Sequence, residues 1–386
     1  MQKRINWWWV ATALLGLVLI GIIVFYFSYN RMVVKKNEPK EEITEILPTA
    51  TPTPDPLAPY SILLLGYGGG THDGGLLTDS IMLAQIRPRD EEIRLISIPR
   101  DLWAPMQIKG DEIENKKINE AYAIGSDDKN YKTKKVEFTG EAGGGEMAKA
   151  VVEEVTGIKP DYFAAIDFGG FVKIIDGLGG INVKVSQAFD DPFYPIEELK
   201  NDTCGKSEEE MVAIEATISG EKLEQQYLCR YENLHFDKGS QQMDGVTTLK
   251  FVRSRHSNVG GGDFNRAERQ KLVVTSVRDK IINIGFISKI IPTIQTLTRH
   301  ITTDIDFSTM SELVTKLSEI SEYKVISIAL TDQNVLVNAK SSTGQFIFNP
   351  RTGMNNFSEI KEFIDNNGIL TPTPTITMTP TIKQGN

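Results

Sequence analysis

Four arginines crowd a short stretch of this chain. Residues 251–270 read Phe-Val-Arg-Ser-Arg-His, then a glycine-rich turn, then Asp-Phe-Asn-Arg-Ala-Glu-Arg-Gln. Arg253, Arg255, Arg266 and Arg269 outweigh Asp263 and Glu268, so the stretch carries a net +2 within a chain of net charge −9. If the segment from 263 onward is helical, Arg266, Arg269 and Gln270 stand at i, i+3 and i+4 and share a face. Arg253 and Arg255, two apart in an extended segment, point the same way. Guanidinium forks match phosphate oxygens in pairs, so converging arginines read as a diphosphate clamp. The plainer alternative is a solvated, salt-bridged helix end. His256, beside the arginines, reads as a local hydrogen-bond partner rather than a catalytic base.

A second group lies earlier. Asp79 opens an apolar run just after a glycine-rich loop, and Arg100 and Asp101 close another in Ser-Ile-Pro-Arg-Asp. In open α/β sheets, ligands sit where strands end. Asp79 and Asp101 offer the hard oxygens that Mg²⁺ takes, in the pattern where the ion shares one or two carboxylates with substrate phosphates. Each aspartate alone also reads as a turn or cap residue. Lys117 and Asn119 could orient an anion or cap a helix. The glycine loop lacks the Lys-Ser/Thr of a P-loop and the spacing of a dinucleotide fingerprint. No GxSxG elbow or HExxH pair is present, so serine-hydrolase and zincin chemistry have no support. The acidic balance argues against nucleic-acid binding.

The elements that position these groups follow from pattern. Apolar runs at Ser61–Leu65, Asp79–Ile86, Ile93–Ile98, Tyr162–Phe168, Ile181–Val185 and Tyr323–Leu330 predict strands. Helical spacing predicts helices at Lys117–Ile124, Glu146–Val155 (stopped by Gly157), Asp263–Ile282, Ser308–Ile320 and Phe357–Asn366, with Val172–Ile175 on another. Strands alternating with helices predict an α/β fold, a layered α-β-α body around a central mixed sheet.

The ends differ in kind from the body. Trp7 to Tyr29 is an uncharged run of 23 residues with aromatic residues at both edges. As a helix it spans about 34 Å, enough for one membrane crossing. A cleaved signal peptide is the competing reading, but the run is long and no small-x-small site follows. Residues 1–6 form a short tip, 30–59 a Thr/Pro-rich linker, and 369–386 a Thr/Pro-rich disordered tail. Basic residues flank the run on both sides, so charge counting leaves its orientation open. Residues 60–368 read as one domain with an insertion near 195–235. Cys204 and Cys229 bracket that insertion, and a disulfide between them fits an oxidising location, with two free thiols as the alternative.

Taken in order, ILLLG (62–66), LTDSIML (77–83), SIPRD (97–101), KINEAY (117–122), IIDGLGG (174–180), MDGVTTLKFVRSRH (243–256) and GDFNRAERQ (262–270) resemble the LytR-CpsA-Psr family of bacterial envelope proteins. The likeness runs from about Tyr60 to the segment Thr331–Ile364, and it resides in seven motifs in one order. It implies a single-pass cell-membrane protein with its catalytic body outside. The implied activity is a phosphotransferase that moves a glycopolymer from a polyprenyl-pyrophosphate carrier to peptidoglycan through a phosphodiester. A polyprenyl-pyrophosphate hydrolase and a non-catalytic lipid- or wall-binding regulator are the alternatives. Carried over by motif, Asp79 engages Mg²⁺ (or Mn²⁺) and pyrophosphate, with Asp101 as a further metal or supporting residue. Arg100 holds phosphate, and Arg253, Arg255, Arg266 and Gln270 complete the clamp. The lipid is expected in an apolar groove between sheet and helices. Two positions depart from the pattern: Gly68 stands where an Asp is frequent, and Leu77 where an Arg is frequent. Asp73, in the glycine loop, is a candidate for the missing oxygen.

Overall fold

A computed structural model describes residues 26, 28–38, 55, 57–70, 75–257, 259, 263–284, 297–316 and 322–370. In chain order the elements are β1 (Tyr60–Tyr67), β2 (Thr78–Arg87), β3 (Glu92–Ile98), β4 (Trp103–Lys109), β5 (Glu112–Lys117), α1 (Glu120–Ser126), α2 (Gly143–Thr156) and β6 (Tyr162–Asp167). There follow α3 (Phe168–Gly177), β7 (Ile181–Val185), β8 (Phe189–Pro195), α4 (Glu208–Thr217), α5 (Glu221–Glu224), β9 (Tyr231–Phe236), β10 (Gly239–Met243) and α6 (Gly245–Arg253). The chain continues through α7 (Asp263–Ile284), β11 (Ile301–Thr303), α8 (Phe307–Lys316), β12 (Lys324–Ala329), β13 (Leu336–Lys340), β14 (Phe346–Pro350) and α9 (Ser358–Asp365).

Six strands form the central sheet in the order β11-β6-β1-β2-β3-β12. It is mixed: β1–β2, β2–β3 and β11–β6 run antiparallel, while β1–β6 and β3–β12 run parallel. Strand alternation divides its side chains between two layers. Leu63, Leu65, Ile81, Leu83, Ile96 and Phe163 join one core with α1, α2 and α9, through Tyr122, Met147, Val151 and Ile360. Met82, Ala84 and Leu95 point the other way, toward Val274 of α7. Both faces therefore carry apolar side chains, which explains why these strands read as nearly continuous apolar runs. At about 1.5–3 kcal/mol for each large apolar side chain removed from water, this burial dominates the stability of the body.

Helix α2 approaches the sheet closely at Gly145, where an added Cβ would lie 2.2 Å from the Phe163 ring. It stops at Gly157, whose φ of 74° belongs to the left-handed region. A separate core holds β7, β8, β9, β10, α3 and α6 together around Phe189, Phe236 and Phe251.

Several expectations need correction. The helix read over Lys117–Ile124 begins only at Glu120, because Lys117 ends β5 opposite Trp103. Arg253 does not lie in an extended segment: it closes α6, and the chain extends from Ser254. Among the described residues no helix is long and apolar enough to cross a membrane. Apart from residues 26, 28 and 29, the run 7–29 lies outside the described residues, as do Asp73 and the tail from 371.

Cys204 and Cys229 are joined in a disulfide. It closes a loop across a separation of 25 residues within the insertion, whose helix α4 buries no residue. With so little core of its own, the insertion depends on the staple. Loop-closure entropy predicts that replacing both cysteines with serine costs about 3 kcal/mol. Thermal unfolding should show the loss, and amide exchange should accelerate over 197–230 before it does in the central sheet.

Candidate functional site

The second face of the sheet is not packed throughout. Between it and α3, α6 and α7 lies a cavity of about 710 Å³. Its inner wall is apolar, built by Leu64, Met82, Ala164 and Ile166 from the sheet and Phe171, Ile174, Leu249, Val252, Val273 and Val274 from the helices. The same cavity is bordered by Asp79, Arg100, Asn119, Arg253, Arg255, Arg266 and Gln270. Residues from four distant stretches thus meet around one space, with cations beside hydrocarbon.

Local structure accounts for each placement. Asp79 sits near the start of β2, and its Oδ1 accepts a hydrogen bond from Nη1 of Arg100, just past β3. Arg266 and Gln270, four apart on α7, line the cavity together. Arg253 ends α6 with its guanidinium 4.4 Å from the centre of the Phe168 ring, and it donates to the Tyr194 hydroxyl at 3.2 Å. A guanidinium over an aromatic face keeps its charge while leaving much of its water.

Arg269 must be removed from the clamp. It is only 5 % exposed and lies outside the cavity wall. Its Nη2 donates to the Ser254 carbonyl at 2.5 Å, and its guanidinium lies 5.1 Å from the Phe189 ring centre. Burial pulls this guanidinium down to about 10, with the neighbouring Arg266 charge acting in the same sense and Asp191 opposing both. The physical reason is packing: Arg266 and Gln270 line the cavity, while Arg269 is held inward by the Ser254 carbonyl and the Phe189 ring.

Asp101 also falls outside the cavity wall. Its carboxylate takes Nζ of Lys117 at 2.6 Å and lies 3.5 Å from Nε of Arg100. In this position it braces Arg100 from behind. The carboxylate that faces the site is therefore that of Asp79 on β2, paired with Arg100.

Two groups, Asp191 and Asp167, escaped the sequence reading, and a third, Asn119, was read there only as an anion-orienting or capping residue. Asp191 of β8 is 1 % exposed, and its Oδ2 accepts from the Ser254 hydroxyl (2.7 Å), the Arg255 N–H (2.8 Å) and the His256 N–H (3.2 Å). Its Oδ1 accepts from the Phe193 N–H at 3.1 Å. One buried carboxylate thereby fixes the loop that carries Arg255. Asp167 caps α3 through the Gly170 N–H and accepts from Nδ1 of His300 at 2.8 Å, while Lys173 donates to Nε2 of the same ring at 2.6 Å. Asn119 is buried at the cavity, and its side-chain oxygen has no hydrogen-bond partner among the described residues. Only Asn119 carried a signal in the sequence, as part of KINEAY; Asp191 lies in an ordinary turn-like run, Asp-Asp-Pro-Phe.

Of the other acids at this cavity, Asp167 is committed to His300 and Asp191 to residues 254–256, whereas the buried Oε2 of Glu224 accepts no hydrogen bond among the described residues and lies 3.7 Å from Nε2 of His256. Among the described residues no three acids at this cavity lie close enough together to cage a cation. The donor set fits a hard ion that takes few protein oxygens and finds the rest on phosphates and water. The clustered Asp202, Cys204 and Cys229 are no metal site, because the two sulfurs are bonded to each other.

The sequence profile of the LytR_cpsA_psr family matches residues 23–352. A polyisoprenyl-teichoic acid–peptidoglycan teichoic acid transferase TagU of Bacillus mycoides is 25% identical over 317 residues, covering 81% of this chain and 83% of its own. The corresponding transferase TagV of Bacillus subtilis is 24% identical over 279 residues, 72% of this chain and 58% of its own. The crystal structure of B. subtilis TagV superposes with a TM-score of 0.51 at 22% identity, over 82% of this chain and 99% of that one. A structure from Enterococcus faecalis titled a transcriptional regulator gives 0.52 at 20% identity, over 80% and 87% of the two chains.

The Asp191 network generates a test. Asp191→Ala leaves the Ser254 hydroxyl and the Arg255 and His256 amides without their acceptor and removes the charge that opposes the burial of Arg269, a loss on the order of 3 kcal/mol. Asp191→Asn should lose less, since the carboxamide oxygen still accepts. Denaturant unfolding ranks the two, and amide exchange at 254–256 should rise in both.

Proposed function

This chain belongs to the LytR-CpsA-Psr family, and from that premise we propose that it transfers a glycopolymer from a polyprenyl-pyrophosphate carrier to peptidoglycan. The carrying observation is the single cavity in which an apolar wall meets Asp79, Arg100, Arg253, Arg255, Arg266 and Gln270. A substrate that fits must be long and apolar at one end and anionic at the other. A lipid-borne diphosphate has that shape and charge.

The lipid lies along Leu64, Met82 and the facing helices, and the diphosphate sits among the guanidiniums. An acceptor hydroxyl of the wall attacks the phosphorus that bears the glycan. The new P–O bond forms as the bond to the lipid-side phosphate breaks, so polyprenyl phosphate leaves and the hydroxyl proton is released. Phosphoryl transfer of this kind asks for positioning and charge neutralisation more than for a strong protein nucleophile. Guanidiniums beside hydrocarbon supply that neutralisation in a low-dielectric setting, where each charge counts for more than in water.

Mg²⁺ or Mn²⁺ is proposed as the accompanying ion. Asp79 would hold it, and the unpartnered side-chain oxygen of Asn119 is a second candidate ligand from the chain. When bound, the ion neutralises phosphate charge alongside the arginines. Gly68 at the cavity contributes no carboxylate, so this site relies on phosphate oxygens more than its relatives' pattern implies.

We also propose that the run 7–29 anchors the chain once in the cell membrane with the body outside. Supporting this are the length of the uncharged run and the disulfide, which persists in oxidising compartments.

The reading is tested with full-length protein in detergent, a polyprenyl-pyrophosphate glycan and nascent peptidoglycan. Mass spectrometry should find a glycan joined through a phosphodiester to the wall. Free glycan phosphate alone would instead identify a hydrolase, and no product would sink both enzymatic readings. Asp79→Ala and Arg255→Ala should each lower transfer about a hundredfold or more. Chelation should abolish it, and Mn²⁺ should restore it. Asn119→Leu should weaken Mn²⁺ binding, read by paramagnetic resonance with diphosphate present, on the order of tenfold.

A further inference from the structure

Two residues of the cavity wall, Ile174 and Ile301, pack against the chain at the end of the uncharged run. Residues 32–34 join the sheet beside β11: the Thr303 N–H donates to the Met32 carbonyl at 3.0 Å, and the Val34 N–H donates to the Thr303 carbonyl at 2.8 Å. Tyr29 and Met32 are each 4 % exposed, and the Tyr29 hydroxyl donates to the Ile305 carbonyl at 2.9 Å. These residues form a cluster with Leu297, against which Ile174 and Ile301 pack. Ile174 and Ile301 also line the cavity. Two side chains thus belong to the cavity wall and to the cluster beneath the end of the run.

The outer side of this cluster is apolar and open. Phe307, 36 % exposed at the start of α8, meets the Tyr29 ring edge-on at 5.6 Å and the Tyr26 ring at 6.0 Å. Tyr26 is 47 % exposed, and Arg31 beside it is exposed as well. Aromatic rings with a neighbouring cation suit the interfacial zone of a bilayer, where rings sit at headgroup depth and cations reach phosphates. The chain leading into this patch is the uncharged run ending at Tyr29.

We propose that the edge formed by β11, the start of α8 and residues 26–34 rests on the lipid bilayer. The apolar end of the cavity, at Ile174 and Ile301, faces that surface, and the arginine clamp lies beyond it. The part concerning the carrier rests on the transferase reading; the orientation itself does not. Drawing a polyprenyl chain through water costs free energy in proportion to its apolar area. A continuous apolar route from bilayer to cavity avoids that cost and leaves only the diphosphate at the clamp.

The test uses the full chain reconstituted in vesicles of phosphatidylcholine and phosphatidylglycerol. Phe307→Cys, labelled with an environment-sensitive fluorophore, should emit to the blue and be quenched by lipids brominated on their acyl chains. Val337→Cys serves as control, since Val337 is exposed on β13, just past the strand at the opposite edge of the sheet. Its label should report water and remain unquenched. Equal water exposure at the two positions, or quenching only at 337, overturns the proposal. In the same vesicles, Phe307→Glu should slow transfer from a long-chain carrier by about tenfold. Transfer from a short, water-soluble diphosphate analogue should be unaffected. A loss equal for both carriers, or for neither, also counts against the route. If wild-type protein uses neither carrier, the transferase reading fails, and the two fluorescent labels still decide the orientation.

Discussion

The carboxylate of Asp191 ties together parts of the molecule that the rest of the site depends on. It takes one hydroxyl and three backbone N–H groups, and it lies close enough to the buried Arg269 to moderate its charge. Arg269 in turn holds the Ser254 carbonyl. The start of the loop between α6 and α7, residues 254–256, is therefore gripped from two sides by opposite charges. Arg255 projects from that loop, and a guanidinium acts as a phosphate ligand only when its backbone is held still. A buried pair of this kind is a weak source of stability, because desolvation offsets the attraction. What it supplies here is position.

The cavity solves a second problem. Cations beside hydrocarbon repel one another and lose water, and both effects disfavour assembling them without an anion. The fold moderates this by giving the cations partners from the body. Arg100 is set between Asp79 and Asp101, and Arg253 lies over Phe168 and against Tyr194. Lys117 takes up the remaining oxygen of Asp101. The result is a clamp prepared for a diphosphate, with compensation built from the body side.

The sheet makes the arrangement possible. Its one face is fully packed by α1, α2 and α9, so it is a rigid floor. Its other face is covered only in part, and the gap under α3, α6 and α7 becomes the cavity. The disulfide-closed insertion stands at one side, contributing Glu224 and Tyr231 to the wall. The segment around Tyr29 and Met32 packs against Ile174 and Ile301 of the wall, beside β11.

Much of this was legible in the amino-acid sequence because it rests on local pattern. Strands β1, β2, β3, β6, β7 and β12 and helices α2, α3, α7 and α9 announce themselves through periodicity and stop signals such as Gly157. The pairing of Cys204 with Cys229 was open to expectation, since few alternatives existed. Other features were invisible because they arise between distant segments. Nothing in Asp-Asp-Pro-Phe marks Asp191 as an anchor sixty-odd residues from its partners, and hydrogen bonding across that separation has no periodic signature. Spacing placed Arg266, Arg269 and Gln270 on one helical face, yet only packing against Phe189 and Ser254 decided that Arg269 turns inward. Likewise Asp79 and Asp101 were chemically equal candidates, and tertiary contact with Lys117 separated them. Sequence determined which residue types could bind a phosphate; the fold decided which of them face it, because direction is set by neighbours and not by spacing.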